Sequence, residues 1–452
     1  MKKKLLAEFE IENIVYPNTG VGRYNGCPAR ADGALPGQTV RALLAKKRGV
    51  YFAGRKEVLR PSPLEIPPDC PAFGVCGGCA FRNISYADEL ALKERMVNDL
   101  LEKYGVEGFE YLGIEPAPEA DRYRGKMEFS FGDEGLGSGL RLGMRRKHSM
   151  YEVAAADDCL LADGDFNAIR RRALAFFAES SDAFYRKTDH SGALRNLIIR
   201  KGHFTGEILV NLVTTSALKT SLAPFVQALT ALPLRGQIVG VLRTVNDSLA
   251  DAVVCDRLEV LYGRPYYYES LCGLTFKISA FSFFQSNAAG AQRLYSTVRE
   301  FASAASAAWD LYCGTGTIAQ ILSGVCGSVT GVELVPEAVE AARANAARNG
   351  ITNCGFISAD VLEFLNNAQS YPKPDLIAAD PPRSGINALA LEQIARAGAP
   401  CIIYVSCNPE SLCRDLAALR RRGYAPASLK LHDMFPRTAH VETIVSLRRR
   451  DT

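Results

Sequence analysis

From Ser306 onward the chain alternates short apolar runs with helix-patterned segments, and nothing else in its 452 residues restricts the fold as strongly. Trp309-Asp310-Leu311-Tyr312 runs into the glycine-rich Cys313-Gly314-Thr315-Gly316-Thr317. Residues 329–333, 354–360, 375–380 and 401–407 are further predicted strands, each backed by a helical segment, and 440–447 closes the series. Pro336 is predicted to open one helix and Gly350 to stop it. Ile402 to Val405 reads as a parallel strand covered on both faces. Asn408 then caps, and Pro409 opens, the helix behind it. The pattern predicts a doubly wound parallel sheet with right-handed crossovers. In such sheets ligands bind beyond the carboxyl ends of the strands.

Tyr312, Glu333, Asp360, Asp380 and Cys407 fall at those ends. The glycine-rich turn lets backbone approach a ligand closely, and Glu333 suits the two hydroxyls of a ribose. The turn has neither a third glycine nor a Walker lysine, so a nucleoside such as S-adenosylmethionine fits better than a dinucleotide or a triphosphate. Asp380-Pro381-Pro382-Arg383 is a stiff turn whose Asp380 can hold the cofactor or a base. Residues 435–442 bring His440 and Glu442 together. Residues 281–287 set Gln285 among phenylalanines, which either join the core or stack on an extruded base. A lone cysteine at a strand end is ordinarily a buried thiol. With Asp380 and Glu442 for company, Cys407 reads instead as a nucleophile. Its thiol is expected to be made more acidic by the helix start after Pro409.

Upstream, residues 2–60 read as all-β: Lys3, Leu5, Ala7 and Phe9 mark one face of an alternating run, and 38–44 and 50–59 supply more strands. The segment has 12 Lys and Arg against 5 Asp and Glu in a chain of net charge +4. A basic barrel of the oligonucleotide-binding (OB) type, with a polyanion partner, fits both length and charge. Pro61, Pro63, Pro67 and Pro68 form a stiff linker. Cys70, Cys76 and Cys79 follow within ten residues, with Cys159 a fourth candidate. Four thiolates suit an iron–sulfur cluster or zinc, and three clustered with one distant favours the cluster. The 86–104 segment reads as a helix ended by Gly105. The region 106–270 is mixed and mostly strand-like, and its cations, such as Arg145 and Lys147, are by default a solvated surface. No apolar run approaches a membrane span, and Lys2, Lys3 and Lys4 lead into alternating residues rather than the apolar core of a signal peptide. The expectation is a soluble, cytoplasmic protein with no membrane contact and no obligate protein partner.

Taken together, CPAFGVCGGC, FFQSN, DLYCGTGTI, GVE, DPPRSG, YVSCNP and DMFPRTAHVE resemble the S-adenosylmethionine-dependent RNA (uracil-5)-methyltransferases. The resemblance is strongest to the bacterial 23S rRNA members with an N-terminal TRAM domain and a [4Fe-4S] cluster. It spans nearly the whole chain and is weakest over 106–270. It implies Cys407 as nucleophile and Glu442 as base. It implies Gln285, Tyr312, Glu333 and Asp380 as S-adenosylmethionine contacts, and Cys70, Cys76, Cys79 and Cys159 as ligands of a [4Fe-4S] cluster. Ser286 departs from the apolar or β-branched residue usual there. The implied architecture is α/β. A TRAM, OB-like barrel (1–60) is followed by a mixed α+β central domain with the cluster (61–270) and a Rossmann-like methyltransferase domain (271–452). The implied substrate is RNA, 23S rRNA ahead of tRNA. Two rivals stand beside this reading. One is an amino-group RNA methyltransferase, which an Asp-Pro-Pro turn also suits and which needs neither Cys407 nor Glu442. The other is an RNA-binding assembly factor.

Overall fold

The computed structural model describes residues 5–135, 138–149, 151–250, 253–302 and 304–450, which divide into two compact units. One unit holds Met1–Asp69, Ala80–Ala117 and Leu365–Thr452, and the other Cys70–Cys79 and Pro118–Phe364.

In the first unit, strands Leu5–Val15, Thr19–Tyr24, Cys27–Asp32, Thr39–Lys47 and Val50–Arg60 close into a five-stranded barrel. Alternation does this: Ala7, Phe9 and Ile11 point inward with Ala29, Ala31, Val40, Ala42 and Leu44, while the intervening charged residues stay outside. The barrel is the OB-like element expected from the sequence. Ile14 and Leu35 pack with Phe81, Ile84, Leu92 and Met96, so the barrel shares a core with the helix Tyr86–Lys103. Ser85 caps that helix, its Oγ accepting from Asp88 N–H at 3.1 Å.

The same unit contains an α/β sheet. Leu376–Ala379 pairs in parallel with Cys401–Ser406, which pairs antiparallel with Glu442–Arg449. Tyr424–His432 lies antiparallel to Glu442–Arg449 and parallel to Glu110–Glu115. The sheet is therefore mixed, not uniformly parallel as expected. Only residues 433–441 separate the two strands beginning at Tyr424 and Glu442, too few for the crossover that a parallel pair requires. The Tyr424–His432 strand escapes sequence reading because Pro426 interrupts it. The structure accommodates the proline where the register shifts, between Pro426 and Ser428.

The second unit has a seven-stranded sheet, in the order Arg257–Gly263, Gln237–Val245, Glu207–Thr214, Leu194–Lys201, Lys126–Gly132, Arg141–Arg145, Val153–Ala154. Helices Gly164–Ala178 and Ala223–Thr230 pack on it through Phe129, Phe166, Phe177, Leu197, Val210 and Phe225. A hairpin, Tyr266–Leu271 with Leu274–Ser279, leads to the helix Ala288–Phe301. Three parallel strands follow, Ala305–Leu311, Cys326–Glu333 and Cys354–Ser358, with the helix Pro336–Arg348 between the last two. Among the described residues no helix is long and apolar enough to cross a membrane.

Phe129 is fully buried in the core of this second unit. Phe129→Ala is expected to cost about 3–5 kcal/mol, read as a lowered urea midpoint.

Candidate active site

Each residue singled out at a strand end sits on or just past its strand. Tyr312 follows Ala305–Leu311, Glu333 ends Cys326–Glu333, and Asp360 lies two residues past Cys354–Ser358. Asp380 follows Leu376–Ala379 and Cys407 follows Cys401–Ser406. Asp360 serves as a cap, accepting from Leu362 N–H at 2.9 Å.

In the first unit the Cys407 loop is over-determined. Asn408 caps the helix Pro409–Arg420, accepting from Glu410 N–H at 3.2 Å, while its amide donates to Arg383 O at 2.8 Å. Buried Asp415 accepts both Tyr404 Oη (2.8 Å) and Ile386 N–H (2.7 Å), and Arg414 donates to Ser384 O at 2.6 Å. The Asp-Pro-Pro-Arg turn is thereby tied to the strand and helix that flank Cys407.

Three acidic groups crowd here. Burial, and then the charge of Asp380, push buried Glu442 up to about 8, while Arg383 opposes the rise. Burial pushes Asp380 up to about 7. The Cys407 thiol is raised to about 11, first by burial and then by Glu442 and Asp380; Arg383 lowers it by charge and by a hydrogen bond. The resting thiol is thus less acidic than an ordinary cysteine, against the expectation of an acidified one. Desolvation and two carboxyl neighbours outweigh the helix start and Arg383. The Arg383 guanidinium also lies 3.5 Å from His440 Nε2. Tyr16, on the turn after the first barrel strand, is raised to about 12 by burial, then by Cys407.

Asp380, Cys407 and Glu442 therefore come together within one unit, with Arg383, His440 and Tyr16 around them. In the sequence Arg383 is only part of a turn, and nothing marks Tyr16. Arg383 was recoverable as the nearest cation in the motif. Tyr16 carried no signal, because a barrel residue nearly 400 positions away meets Cys407 only through folding.

Gln285, Tyr312 and Glu333 belong to the second unit. The Glu333 carboxylate is held by Gly314 N–H (3.0 Å) and Val335 N–H (2.9 Å). Tyr312 adopts φ +64°, a strained value for a non-glycine residue. Gly316, at φ +76°, opens the helix Thr317–Leu322, and a Cβ there would come within 2.6 Å of the Phe356 ring. At Gly314 a Cβ would meet nothing within 4 Å, so the backbone borders open space beside a fixed carboxylate. That arrangement fits a nucleoside cofactor with vicinal hydroxyls. Gln285 comes from a separate loop, pinned by Arg200 donating to Ser282 O (2.9 Å) and by Gly125 donating to Ser286 O (2.5 Å). Asn287 caps the next helix by accepting from Gly290 N–H at 2.9 Å, and Phe283 stands 72% exposed.

The family model for tRNA (uracil-5-)-methyltransferase matches residues 85–450. The chain belongs to the tRNA (uracil-5-)-methyltransferase family. An uncharacterized RNA methyltransferase of Clostridium tetani is 44% identical over 455 residues, covering 100% of this chain and 99% of its own. One from Caldanaerobacter subterraneus subsp. tengcongensis is 45% identical over 447 residues, covering 98% and 99%. The fold matches that of Pyrococcus abyssi tRNA (uracil-54, C5)-methyltransferase in complex with S-adenosyl-L-homocysteine. The TM-score is 0.77 at 24% identity, covering 97% of this chain and 99% of that one. The protein is thus an S-adenosylmethionine-dependent RNA methyltransferase of α/β methyltransferase fold, in a uracil-5 family. Membership favours uracil carbon over an exocyclic amine as the methyl acceptor.

The four candidate ligand cysteines of this methyltransferase all lie in the second unit. Cys76 accepts from Gly78 N–H at 3.3 Å, and Asn167 brackets Cys159 by its N–H (3.3 Å) and its carbonyl (3.1 Å). Burial raises the Cys76 thiol, and Cys159 and Cys70 raise it further, so three of the four sulfurs are within electrostatic reach. Among the described residues, no three His, Cys, Asp or Glu side chains are drawn together closely enough to hold a metal ion.

Alkylation of Cys407 tests the electrostatics without RNA. With a thiol near 11, only about one molecule in a hundred is thiolate at pH 9. Iodoacetamide labelling of the Cys407 peptide, followed by mass spectrometry, is expected to accelerate as pH rises. Arg383→Met is expected to slow it at any given pH and Glu442→Gln to speed it. Movement of both variants in one direction contradicts the assignment of their opposing charges.

Proposed function

We propose that the protein methylates C5 of a uridine in 23S rRNA, with Cys407 as nucleophile and Glu442 as the base that ends the reaction. The observation that carries this is the burial of Cys407 with two raised carboxyl groups and one guanidinium. A structural thiol has no use for such company. C5 of uracil is too weak a nucleophile to take a methyl group unaided. Bound S-adenosylmethionine supplies an electrophilic methyl on a sulfonium. Cys407, as thiolate, would add to C6, and the C5–C6 π electrons would make C5 an enolate carbon that takes the methyl as the methyl–sulfonium bond breaks, with S-adenosylhomocysteine as the leaving group. Arg383 offsets negative charge at the sulfur during addition. Glu442, as carboxylate, then removes the C5 proton; the electrons re-form C5=C6 and expel the Cys407 thiolate. A carboxyl raised to about 8 is a stronger base than an ordinary glutamate. Gln285, Tyr312, Glu333 and Asp380 are the residues we assign to the cofactor.

In this reading residues 1–60 are a TRAM domain that holds RNA, 61–270 carry the cluster and 271–452 perform methyl transfer, in the cytoplasm. The target must leave its stack, and the basic barrel offsets part of that cost through phosphate contacts. The four-cysteine set and the barrel support rRNA through the resemblance to the 23S rRNA members of the family. The name of the matched family and the archaeal fold relative support a tRNA uridine as the second reading. Cys70, Cys76, Cys79 and Cys159 fit a [4Fe-4S] cluster in kind, being four free thiols.

Labelled methyl transfer to unmodified 23S rRNA and tRNA transcripts, mapped by mass spectrometry, separates the two substrates. Glu442→Gln is expected to retain methylated RNA as a covalent adduct on denaturing gels, and Cys407→Ala to form none. Product without an adduct from Cys407→Ala would overturn the mechanism. Protein purified without oxygen is expected to be brown and to contain acid-labile sulfide. Stoichiometric zinc in its place would remove the cluster.

A further inference from the structure

The helix Tyr86–Lys103 carries a charged face that is buried rather than solvated. Lys93 and Glu89, one turn apart, are each 0% exposed. The Lys93 ammonium donates to Glu89 Oε1 (2.7 Å), Asp433 Oδ1 (2.7 Å) and Phe435 O (3.2 Å), which uses all three of its protons. Asp433 Oδ2 accepts Tyr86 Oη at 2.8 Å, and that hydroxyl accepts Ala117 N–H at 2.9 Å. Lys93 and Arg437 face Asp433 and Glu89, whose carboxyl burial pushes up to about 7 against the opposing pull of Lys93. A buried ion group of this kind adds little net stability, but removing one member strands the others. Its value lies in what it positions.

What it touches is the segment 433–441 that leads into Glu442. Arg437 sits at φ +66°, in the left-handed region. Its N–H donates to Glu89 Oε1 at 2.7 Å, and its carbonyl accepts from Ala80 N–H (2.7 Å) and Phe81 N–H (3.2 Å). A non-glycine residue keeps that conformation only when its surroundings over-determine it, and Glu89, held by Lys93, is one of the restraints. From there the order is relayed outward. Phe435 O accepts Thr438 Oγ1 at 2.7 Å, Thr438 Oγ1 accepts His440 N–H at 3.2 Å, and His440 meets Arg383. Cys407 is set by its own strand, its Asn408 cap and Asp415, and the relay reaches it only at the last link, through Arg383.

We propose that Lys93, with Glu89, Asp433 and Tyr86, is a positioning residue for Glu442, and so governs release of the methylated base from Cys407 rather than attack on it. This rests on reading Glu442 as the base. Loosening the 433–441 segment displaces the proton acceptor first and reaches the nucleophile only through His440 and Arg383, while the strand and cap of Cys407 still hold it. Elimination then slows while addition and methyl transfer proceed.

The test follows label from [methyl-³H]-S-adenosylmethionine into free RNA and into the protein–RNA band. The probes are unmodified transcripts of 23S rRNA and tRNA, and the proteins are wild type, Glu442→Gln, Lys93→Met and Tyr86→Phe. Lys93→Met is expected to lengthen adduct lifetime about tenfold or more, with adduct formation changed by no more than about threefold. Tyr86→Phe, which keeps every charge and decides the matter where Lys93→Met does not fold, is expected to lengthen it about two- to fivefold. If Glu442→Gln accumulates no adduct, the reading of Glu442 falls and the proposal with it. If Glu442→Gln accumulates adduct but the folded network variants release RNA at the wild-type rate, or slow formation and release in equal proportion, the positioning role alone is overturned.

Discussion

The crowding of the buried Glu442 carboxyl with the half-buried Asp380 and Cys407 around one guanidinium is the interaction on which the candidate site depends. Desolvation raises Cys407, Asp380 and Glu442 alike; the charge of Asp380 adds to the rise at Glu442, and both carboxyls add to it at Cys407. Arg383 is the counterweight. A site poised this way keeps the Cys407 thiol protonated at rest. Thiolate then forms at the expense of local repulsion, so charge that disperses into a substrate ring relieves the site. Reversible covalent catalysis asks for a thiol that is a good attacker and also a tolerable leaving group.

Such crowding persists only if the backbone beneath it does not yield. Asp415 ties the Asp-Pro-Pro-Arg turn to the strand and helix that flank Cys407, and the Lys93 network ties down the segment before Glu442. Both devices are buried carboxylates that accept backbone N–H groups. They work through geometry more than through net stability, since the desolvation of their charges cancels much of what the contacts return. In the other unit Glu333 is fixed in the same manner by two backbone amides, next to a backbone that leaves room for a ligand. Carboxylates immobilised by main-chain donors thus recur wherever a polar group must be aimed.

The strand ends and caps were legible in the sequence because they are local. Ile402 to Val405 announced a covered strand, Asn408-Pro409 its abrupt end, and the Tyr312–Gly316 turn its glycines. Period and turn chemistry dictate these within a few residues. The antiparallel last strand was not legible, because orientation depends on the length of the preceding connection and on a strand that Pro426 disguised. Nor was the direction of the Cys407 shift. A helix start is visible in sequence, whereas burial and two carboxylates from distant segments are not. Lys93 and Glu89 are an i, i+4 pair on a helix, a spacing that in sequence is the same for a solvated pair as for a buried one. Only the packing of that helix showed them to be 0% exposed.

By itself the sequence determined which residues have chemistry to offer: four cysteines near a linker and in the central region, a basic barrel, a strand-end cysteine, and acids at neighbouring strand ends. It determined these because side-chain type and local period are written residue by residue. The tertiary structure alone decided how those groups feel one another. It set Tyr16 and Arg383 beside Cys407, made Glu442 a stronger base, and turned a helix charge pair into a clamp on the segment before it. The physical reason is that proton affinity and conformational restraint depend on solvent exclusion and on through-space neighbours, and both exist only after residues hundreds of positions apart have packed together.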